Sequence, residues 1–175
     1  KAGFDLVEVN GANGYMIAQL CAKATNKRCD ELGGSYEKRA RVATEVIRRI
    51  KVRSGNDYPI LTRISAEEFM NGGNKKEDAI VYAKLAEEAG ADAIHISTGS
   101  AAGGNIVTTY YTDPGFNVEN AARVKESVNV PVICVGRIND PALAEEIIES
   151  GNADLISLGR HSICDSEFLN KIYER

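Results

Sequence analysis

The chain has 175 residues with a net charge of −4 at neutral pH, and 43% of the residues are hydrophobic while 26% are charged. This length suits a single globular domain, and the apolar fraction is too high for an intrinsically disordered chain. No run of apolar residues approaches the roughly 20 residues of a membrane span, and no basic cluster indicates a surface for nucleic acid or lipid. We therefore expect a cytoplasmic protein that binds neither a nucleic acid nor a membrane.

The cysteines and the first residues indicate the context of the chain. The four cysteines, Cys21, Cys29, Cys134 and Cys164, are widely spaced and form no C-x-x-C pair. This spacing argues against a zinc site and a disulfide scaffold, so we expect no metal ligands in this chain. Because the sequence begins Lys-Ala-Gly-Phe-Asp, with neither an initiator methionine nor a signal peptide, we expect a piece of a longer protein.

Five short apolar runs, each rich in Val, Ile or Leu, predict β-strands. Continuous apolar runs of this length are typical of strands that are buried on both faces, as in a parallel sheet. In chain order the runs are Leu6–Val9, Pro59–Ile64, Ala93–Ile96, Pro131–Val135 and Asp154–Leu158.

Helical patterns follow the predicted strands. Their apolar residues recur at the spacing of one helix face, and Asp140, Pro141 and Asp165 are typical of helix starts. The predicted helices are Tyr36–Lys51, Glu77–Ala89, Val118–Val128, one that begins after Asp140, and Ser166–Tyr173. Regular alternation of strand and helix predicts an α/β fold with a parallel sheet.

Two parallel architectures fit this alternation. A doubly wound sheet could hold five strands in 175 residues. A TIM (β/α)₈ barrel needs about 250 residues, so this chain would supply about five of its eight βα units. No Gly-x-Gly-x-x-Gly motif follows any predicted strand, which weakens a dinucleotide-binding interpretation of the doubly wound sheet.

In both architectures ligands bind beyond the carboxyl ends of the strands. Polar or small residues stand at those ends: Asn10, Arg63, Ser97–Thr98, Gly136–Arg137 and Gly159–Arg160. The Gly-Arg dipeptide closes both of the last two runs. Glycine lets backbone N–H groups approach a phosphate, and arginine supplies a planar fork of donors for its oxygens. The repeat therefore favours a phosphate site over two glycine turns that are each followed by a surface arginine.

Other candidate residues have two interpretations each. Arg63 closes an otherwise apolar run and needs an anionic partner, which is either a ligand or a neighbouring carboxylate such as Glu8. Tyr15, in the long first loop, could donate a proton or pack over the rim of the barrel. His95 alternates with two isoleucines and is more typical of a satisfied interior histidine than of a catalyst. We expect Cys21 to be a loop thiol.

Five motifs carry a resemblance to a known family. They are Val7-Glu-Val-Asn-Gly-Ala-Asn-Gly-Tyr15, Thr25-Asn-Lys-Arg-Cys-Asp-Glu-Leu-Gly-Gly-Ser35, Arg39-Ala-Arg41, Pro131-Val-Ile-Cys-Val-Gly-Arg-Ile138 and Ala153-Asp-Leu-Ile-Ser-Leu-Gly-Arg160. With these motifs the chain resembles the Old Yellow Enzyme family of NADH:flavin oxidoreductases along nearly its whole length. It looks most similar to the branch that contains 2,4-dienoyl-CoA reductase and the bacterial enoate reductases.

The resemblance implies a TIM barrel that binds FMN, of which residues 1–175 are the C-terminal part with strands four to eight. Arg63 would face the flavin pyrimidine edge, and a group of four residues would hold the FMN phosphate: Gly136, Arg137, Gly159 and Arg160. Tyr15 would be the proton donor. Asn10 and Asn13 would hydrogen-bond the substrate carbonyl.

The implied reaction is the reduction of an activated C=C bond, in an enone or an enoyl or dienoyl thioester, with NAD(P)H as the electron donor. The longer parent could also carry an iron–sulfur cluster, whose ligands are not in this chain, and could form a homo-oligomer. A second hypothesis is a non-catalytic partial barrel that at most binds a phosphate-bearing ligand. A third, a phosphate-binding isomerase or aldolase, is less favoured because no strand ends in a lysine suited to Schiff-base chemistry.

Two departures from the family pattern leave the substrate class open. Asn10 stands where histidine is frequent, and a neutral amide can donate a hydrogen bond but cannot offer an imidazolium. The loop Ser97–Asn117 contains no histidine, whereas the dienoyl-CoA reductases have one there. A five-stranded sheet with open edges also predicts that the isolated chain self-associates.

Overall fold

The computed structural model describes residues 3–103 and 111–174. Its sheet has five parallel strands, and each strand pairs with the one that precedes it in the chain, in the order β1-β2-β3-β4-β5. The strands are β1 (Val7–Gly11), β2 (Ile60–Ser65), β3 (Ala93–Ser97), β4 (Val132–Cys134) and β5 (Leu155–Ile156). A doubly wound sheet reverses its strand order, so this order excludes that alternative and agrees with a segment of a barrel.

Helices connect the strands and continue after β5. Within residues 3–103 and 111–174, three helices follow β1, one follows each of β2, β3 and β4, and two follow β5. They are α1 (Met16–Cys21), α2 (Tyr36–Arg39), α3 (Arg41–Ser54), α4 (Lys76–Glu88), α5 (Val118–Lys125), α6 (Pro141–Glu149), α7 (Arg160–Cys164) and α8 (Phe168–Tyr173). A short 3₁₀ turn covers Ala101–Gly103. None of the helices within the described ranges is long and apolar enough to cross a membrane.

The hydrophobic core lies between the sheet and the helices. Strand side chains alternate between the two faces of a sheet, and every second residue of the central strands is fully buried in this core. The buried strand residues are Ile60, Ile64, Ile94, Ile96, Val132 and Cys134. Helices α3 to α6 cover them with small or aliphatic residues such as Ala43, Ile47, Ala83, Val124 and Ile147.

The opposite face of the sheet corresponds to the interior of a barrel, and we call it the inner face. Its residues are more polar near β1 and more apolar near β5. One register row across all five strands consists of Asn10, Arg63, His95, Ile133 and Leu155. Leu155 is 50% exposed on this face. The polar half of the row therefore lies on the first three strands.

Two matching ion pairs tie the amino ends of the strands together. Asp92 accepts hydrogen bonds from the backbone N–H of Ile60 and from Nζ of Lys51, both at 2.7 Å. Asp154 accepts from the N–H of Val132 at 2.8 Å and from Nζ of Lys125 at 2.9 Å. In both cases an aspartate before one strand joins the preceding strand to the lysine at the end of a helix.

Two predictions about local structure are wrong. The helix predicted over Tyr36–Lys51 is interrupted at Ala40, because the Arg39 side chain turns inward and donates hydrogen bonds to the carbonyls of Cys21, at 2.5 Å, and Gly34. Cys21 ends helix α1 and is buried, so it is not a loop thiol. Burial raises the pKa of Cys21 to about 12, which keeps the thiol protonated at neutral pH.

Candidate functional site

The site predicted from the sequence lies at the carboxyl edge of the parallel strands. Asn10 and Arg63 are register neighbours on β1 and β2, and Arg63 is in turn the neighbour of His95 on β3. Gly136–Arg137 and Gly159–Arg160 follow β4 and β5. The structure therefore brings the predicted residues to one edge, with the amides near β1 and the Gly-Arg pairs near β5.

Tyr15 stands at the start of α1, directly after the β1 turn, and is 56% exposed. This exposure is too large for a ring packed into the rim, so the packing alternative is not supported. The nearby Asn10 forms a local turn in which its Oδ1 accepts from the Ala12 N–H at 3.1 Å. That bond orients the side chain and leaves the Asn10 Nδ2 group without a hydrogen bond to any described residue.

Asn13 fastens the loop that carries Tyr15. It has a left-handed φ of 61°, and its backbone N–H donates to Oγ of Ser65 at 2.8 Å. Its side-chain Nδ2 donates to the Thr98 carbonyl at 3.0 Å and to Oγ of Ser97 at 3.3 Å. An amide nitrogen has two hydrogens, and both are used here. Substrate binding by Asn13 stays a prediction, and it requires that one of these bonds be exchanged.

Gly14 brings the same loop against the end of β3. Asn13 and Ser100 form a parallel β-bridge, and the Ala101 N–H donates to the Asn13 carbonyl at 3.0 Å. Gly14 has a φ of 76°, and a Cβ at this position would lie 2.5 Å from Oγ of Ser100 and 2.7 Å from the Ala101 nitrogen. Only glycine fits this approach, which fixes Tyr15 relative to β3.

Arg63 is not paired with Glu8. Its Nη2 is 3.4 Å from Oγ of Ser97, and its buried Nε has no hydrogen-bond partner among the described residues. Oε2 of Glu8 instead lies 2.7 Å from Nδ1 of His95. Burial raises the pKa of Glu8, but the hydrogen bond and the charge of His95, with a smaller contribution from Arg63, outweigh burial and lower this pKa overall.

The two Gly-Arg pairs differ in conformation. Gly136 and Arg137 form a turn with φ values of 145° and 52°, and Nη1 of Arg137 donates to the Thr112 carbonyl. Gly159 instead precedes helix α7, and a Cβ there would meet no atom within 4 Å. Gly136 follows Cys134 by two positions, whereas Gly159 follows Ile156, the register partner of Cys134, by three. The two Gly-Arg pairs are therefore offset by one position relative to the register of β4 and β5.

The sequence did not single out Ser65 or Glu68. Ser65 lies two residues after Arg63 on β2, so strand alternation could have placed it beside the site. Glu68 is 1% exposed in the loop after β2, and its Oε2 accepts from the Asn74 N–H at 2.7 Å. Burial raises the pKa of Glu68 despite that hydrogen bond. No local pattern distinguishes Glu68 from a solvated loop carboxylate.

Known proteins resemble this chain along its whole length. A family model described as "NADH:flavin oxidoreductase / NADH oxidase family" matches residues 1–175. The chain is 44% identical to an NADH oxidase of Thermoanaerobacter brockii over 174 residues, which cover 99% of this chain and 27% of the relative. It is 36% identical to a cinnamate reductase of Clostridium sporogenes, over 99% of this chain and 29% of that protein.

The solved structures agree with the sequence relatives. The complex of 2-naphthoyl-CoA reductase with 2-naphthoyl-CoA superposes with a TM-score of 0.94 at 33% identity, over 98% of this chain and 26% of the other. The chain thus spans about a quarter to a third of the length of these relatives. Because the structural neighbours are TIM barrels, the predicted partial barrel is confirmed.

Proposed function

Because the chain belongs to the NADH:flavin oxidoreductase / NADH oxidase family, we propose that its parent protein binds FMN and reduces an activated C=C bond with NAD(P)H. The family assignment makes the chain part of an NAD(P)H-dependent flavin oxidoreductase. Two relatives support the finer reaction class, since cinnamate and 2-naphthoyl-CoA both contain unsaturated carbon conjugated to a carbonyl group. The proposed substrates are therefore unsaturated acids, ketones or acyl-CoA thioesters.

The residues at the carboxyl edge fit a planar anionic ligand. Arg63 has a buried Nε that lacks an acceptor among the described residues, and a planar heterocycle with carbonyl oxygens would supply one. At the other end of the edge, Gly159 is open to close approach, and Gly136, Arg137 and Arg160 add donors and positive charge. When bound there, FMN would supply the hydride chemistry between the nicotinamide and the substrate.

The buried Nε of Arg63 is the observation that carries this proposal. Among the other donors at the edge, Asn13 uses its amide hydrogens on Ser97 and Thr98, and Arg137 donates to the Thr112 carbonyl. An arginine nitrogen buried at the ligand-binding edge of a barrel, beside the Asn10 amide, is satisfied by a ligand or leaves a polar atom unpaired at a cost of about 1–3 kcal/mol. We assign Arg63 to the pyrimidine edge of the flavin, where negative charge builds on reduction.

The proton that completes the reduction comes from the Tyr15 hydroxyl in this proposal. The C=C bond gains one hydride equivalent, which the nicotinamide supplies as it is oxidised, and one proton on the neighbouring carbon. Tyr15 is exposed enough to contact a substrate and to regain its proton from water. Nδ2 of Asn10 is available to donate to the substrate carbonyl oxygen, which polarises the C=C bond.

The half-reactions of the full-length parent test this function. FMN should remain bound after gel filtration, NADH or NADPH should bleach its visible band under anaerobic conditions, and cinnamate or an enoyl thioester should restore the band. In Tyr15→Phe we expect bleaching at the wild-type rate and reoxidation by the unsaturated substrate slowed about 100-fold or more. Tyr173→Phe, at an exposed tyrosine on α8, is the matched control.

Each outcome bears on a different part of the proposal. A parent protein that retains no flavin would contradict the FMN assignment. A bound flavin that NAD(P)H reduces but no unsaturated carbonyl reoxidises would contradict the reaction class. Unchanged reoxidation in Tyr15→Phe would remove Tyr15 as the proton donor and leave the rest of the proposal intact.

A further inference from the structure

Three ionisable side chains share the inner face of the first three strands. Glu8 lies on β1, Arg63 on β2 and His95 on β3, with Arg63 on the strand between the other two. Arg63 is the register neighbour of His95, and Glu8 lies two residues before the other register neighbour, Asn10. A single carboxylate thus stands near two groups that can donate to it.

The Glu8 carboxylate contacts His95 on the more distant strand β3, and not Arg63 on the neighbouring strand β2. Oε2 of Glu8 lies 2.7 Å from Nδ1 of His95, and no ion pair joins Glu8 to Arg63. Arginine and carboxylate groups form strong, often bidentate pairs when both are accessible. Within the described residues, the Arg63 side chain makes only the 3.4 Å contact with Ser97, and its Nε is unpartnered there.

This hydrogen bond is the one polar contact that the His95 side chain makes within the described residues. Its Nε2 is buried without a partner there, and the residue that faces it from β4 is the uncharged Ile133. A buried histidine that lacks a partner at Nε2 carries a desolvation cost for that atom. In the described part of the chain, the contact with Glu8 is therefore the one polar interaction in which the imidazole of His95 is used.

We propose that His95 is a positioning residue that holds the Glu8 carboxylate and keeps it from forming an ion pair with Arg63. The guanidinium of Arg63 then keeps its positive charge and its free donors directed to the ligand-binding edge. This inference rests on the proposed function, because the consequence of the free guanidinium concerns the flavin. Without the His95 donor, we expect the Glu8 carboxylate to form an ion pair with Arg63 and neutralise its charge.

Four variants of the full-length parent separate positioning from a merely structural role. His95→Phe keeps a ring but loses the N–H donor. If the His95→Phe protein does not fold, His95→Leu is used in its place. His95→Gln retains an N–H donor, and His95→Phe combined with Glu8→Gln removes the competing carboxylate. The first readout is the crystal structure of each apoprotein, and the second is the midpoint potential of bound FMN.

We expect Glu8 and Arg63 to lie within hydrogen-bond distance in the His95→Phe apoprotein and to stay apart in His95→Gln. Loss of the positive charge at Arg63 should favour oxidised over reduced flavin about tenfold, which lowers a two-electron midpoint potential by about 30 mV. The double variant should return to the wild-type potential, and His95→Gln should stay near it.

Two results would overturn the inference. In the first, Glu8 remains apart from Arg63 in both His95→Phe and His95→Leu. In the second, the double variant keeps the lowered potential, which would mean that the ring itself, and not the carboxylate, sets the site. The apoprotein structures answer the question of positioning without flavin. Failure of the wild-type protein to bind FMN would therefore contradict the proposed function and not the positioning role.

Discussion

A single hydrogen atom in place of a side chain lets the loop that carries Tyr15 reach the sheet. Gly14 combines a left-handed backbone with contact to Ser100 and Ala101, so an added Cβ would be both strained and crowded. Since the Ala101 nitrogen belongs to the backbone, the clash cannot be relieved by a side-chain rotation alone. The loop would have to leave its place against β3, and Tyr15 would move with it.

Gly14→Ala should therefore destabilise the full-length protein by about 3 kcal/mol, from left-handed strain and from overpacking. Gly151→Ala is the control, because Gly151 has a φ of 74° and a Cβ added there would have no atom within 4 Å. The control should cost about 1–2 kcal/mol, from strain alone. Thermal unfolding of both variants measures the difference, and equal losses would show that the contact with Ser100 is unimportant.

Residue-level prediction from the sequence succeeds where a rule of topology applies. The carboxyl ends of parallel strands meet at one edge, and this rule alone places Asn10 and Arg63 together, as the register of β1 and β2 confirms. It cannot decide the partner of Glu8. The contact between Glu8 and His95 crosses the strand between them, so it depends on side-chain conformations in the folded sheet and not on strand order.

At the scale of elements, Asp92 and Asp154 each join neighbouring βα units through hydrogen bonds to a strand N–H and to a lysine. Asp154 holds the Val132 N–H and the Lys125 ammonium group. The hydrogen bond from Val132 lowers the pKa of Asp154, and Lys125 lowers it further, against a smaller opposing effect of burial. A carboxylate with a lowered pKa stabilises the folded state above its ordinary pKa, and this contribution is lost as the pH falls through the folded value.

Asp154→Asn should destabilise the protein by about 1 kcal/mol at pH 7, since the amide keeps an acceptor but loses the charge on a partly exposed pair. The difference from wild type should shrink as the pH falls below the ordinary aspartate pKa of about 3.9, and it should vanish below the lower pKa of the folded state, where the wild-type carboxyl group is protonated as well. Urea unfolding across a series from about pH 7 to about pH 2 measures it. Asp57→Asn, at an exposed residue, should have no effect, and a pH-independent loss in Asp154→Asn would contradict the role of its charge.

The predicted strands and helices agree with the structure where the apolar pattern is long or where residues typical of helix ends flank it. All five predicted strands are present, and the Asp140 side chain does accept a hydrogen bond from the Ala142 N–H with Pro141 in the first turn. Helix α1 is missed because six residues give too short a window for helical periodicity. The break at Ala40 depends on the inward turn of Arg39, which no helical pattern expresses.

At the scale of the whole molecule, the described sheet has two unpaired edges, on β1 and β5, and an inner face that becomes apolar towards β5. Leu155 is half exposed on that face, next to Ile133. Unpaired strand edges beside apolar surface favour association with further strands. The same surface in the longer relatives belongs to a barrel of which this chain corresponds to about a quarter to a third of the protein.

The isolated 175-residue chain should therefore self-associate at micromolar concentration. Sedimentation velocity measures the distribution of species, and Leu155→Lys should reduce association because it places a charge on the exposed part of the inner face. Val52→Lys, at an exposed position on the outer helix α3, is the matched control and should leave association unchanged. A stable, monodisperse monomer of the unmodified chain would contradict this expectation.

The contacts between the loop after β1 and the residues that follow β3 also determine when this loop can take its place as the chain is synthesised. Tyr15 leaves the ribosome before Ser65, Thr98 and Ser100, which hold its loop and are translated 50 to 85 residues later. A nascent chain that stops short of β3 would contain Tyr15, the proposed proton donor, without the residues that hold its loop in place. The placement of Tyr15 is thus completed only after β3 has been translated and has docked against β2.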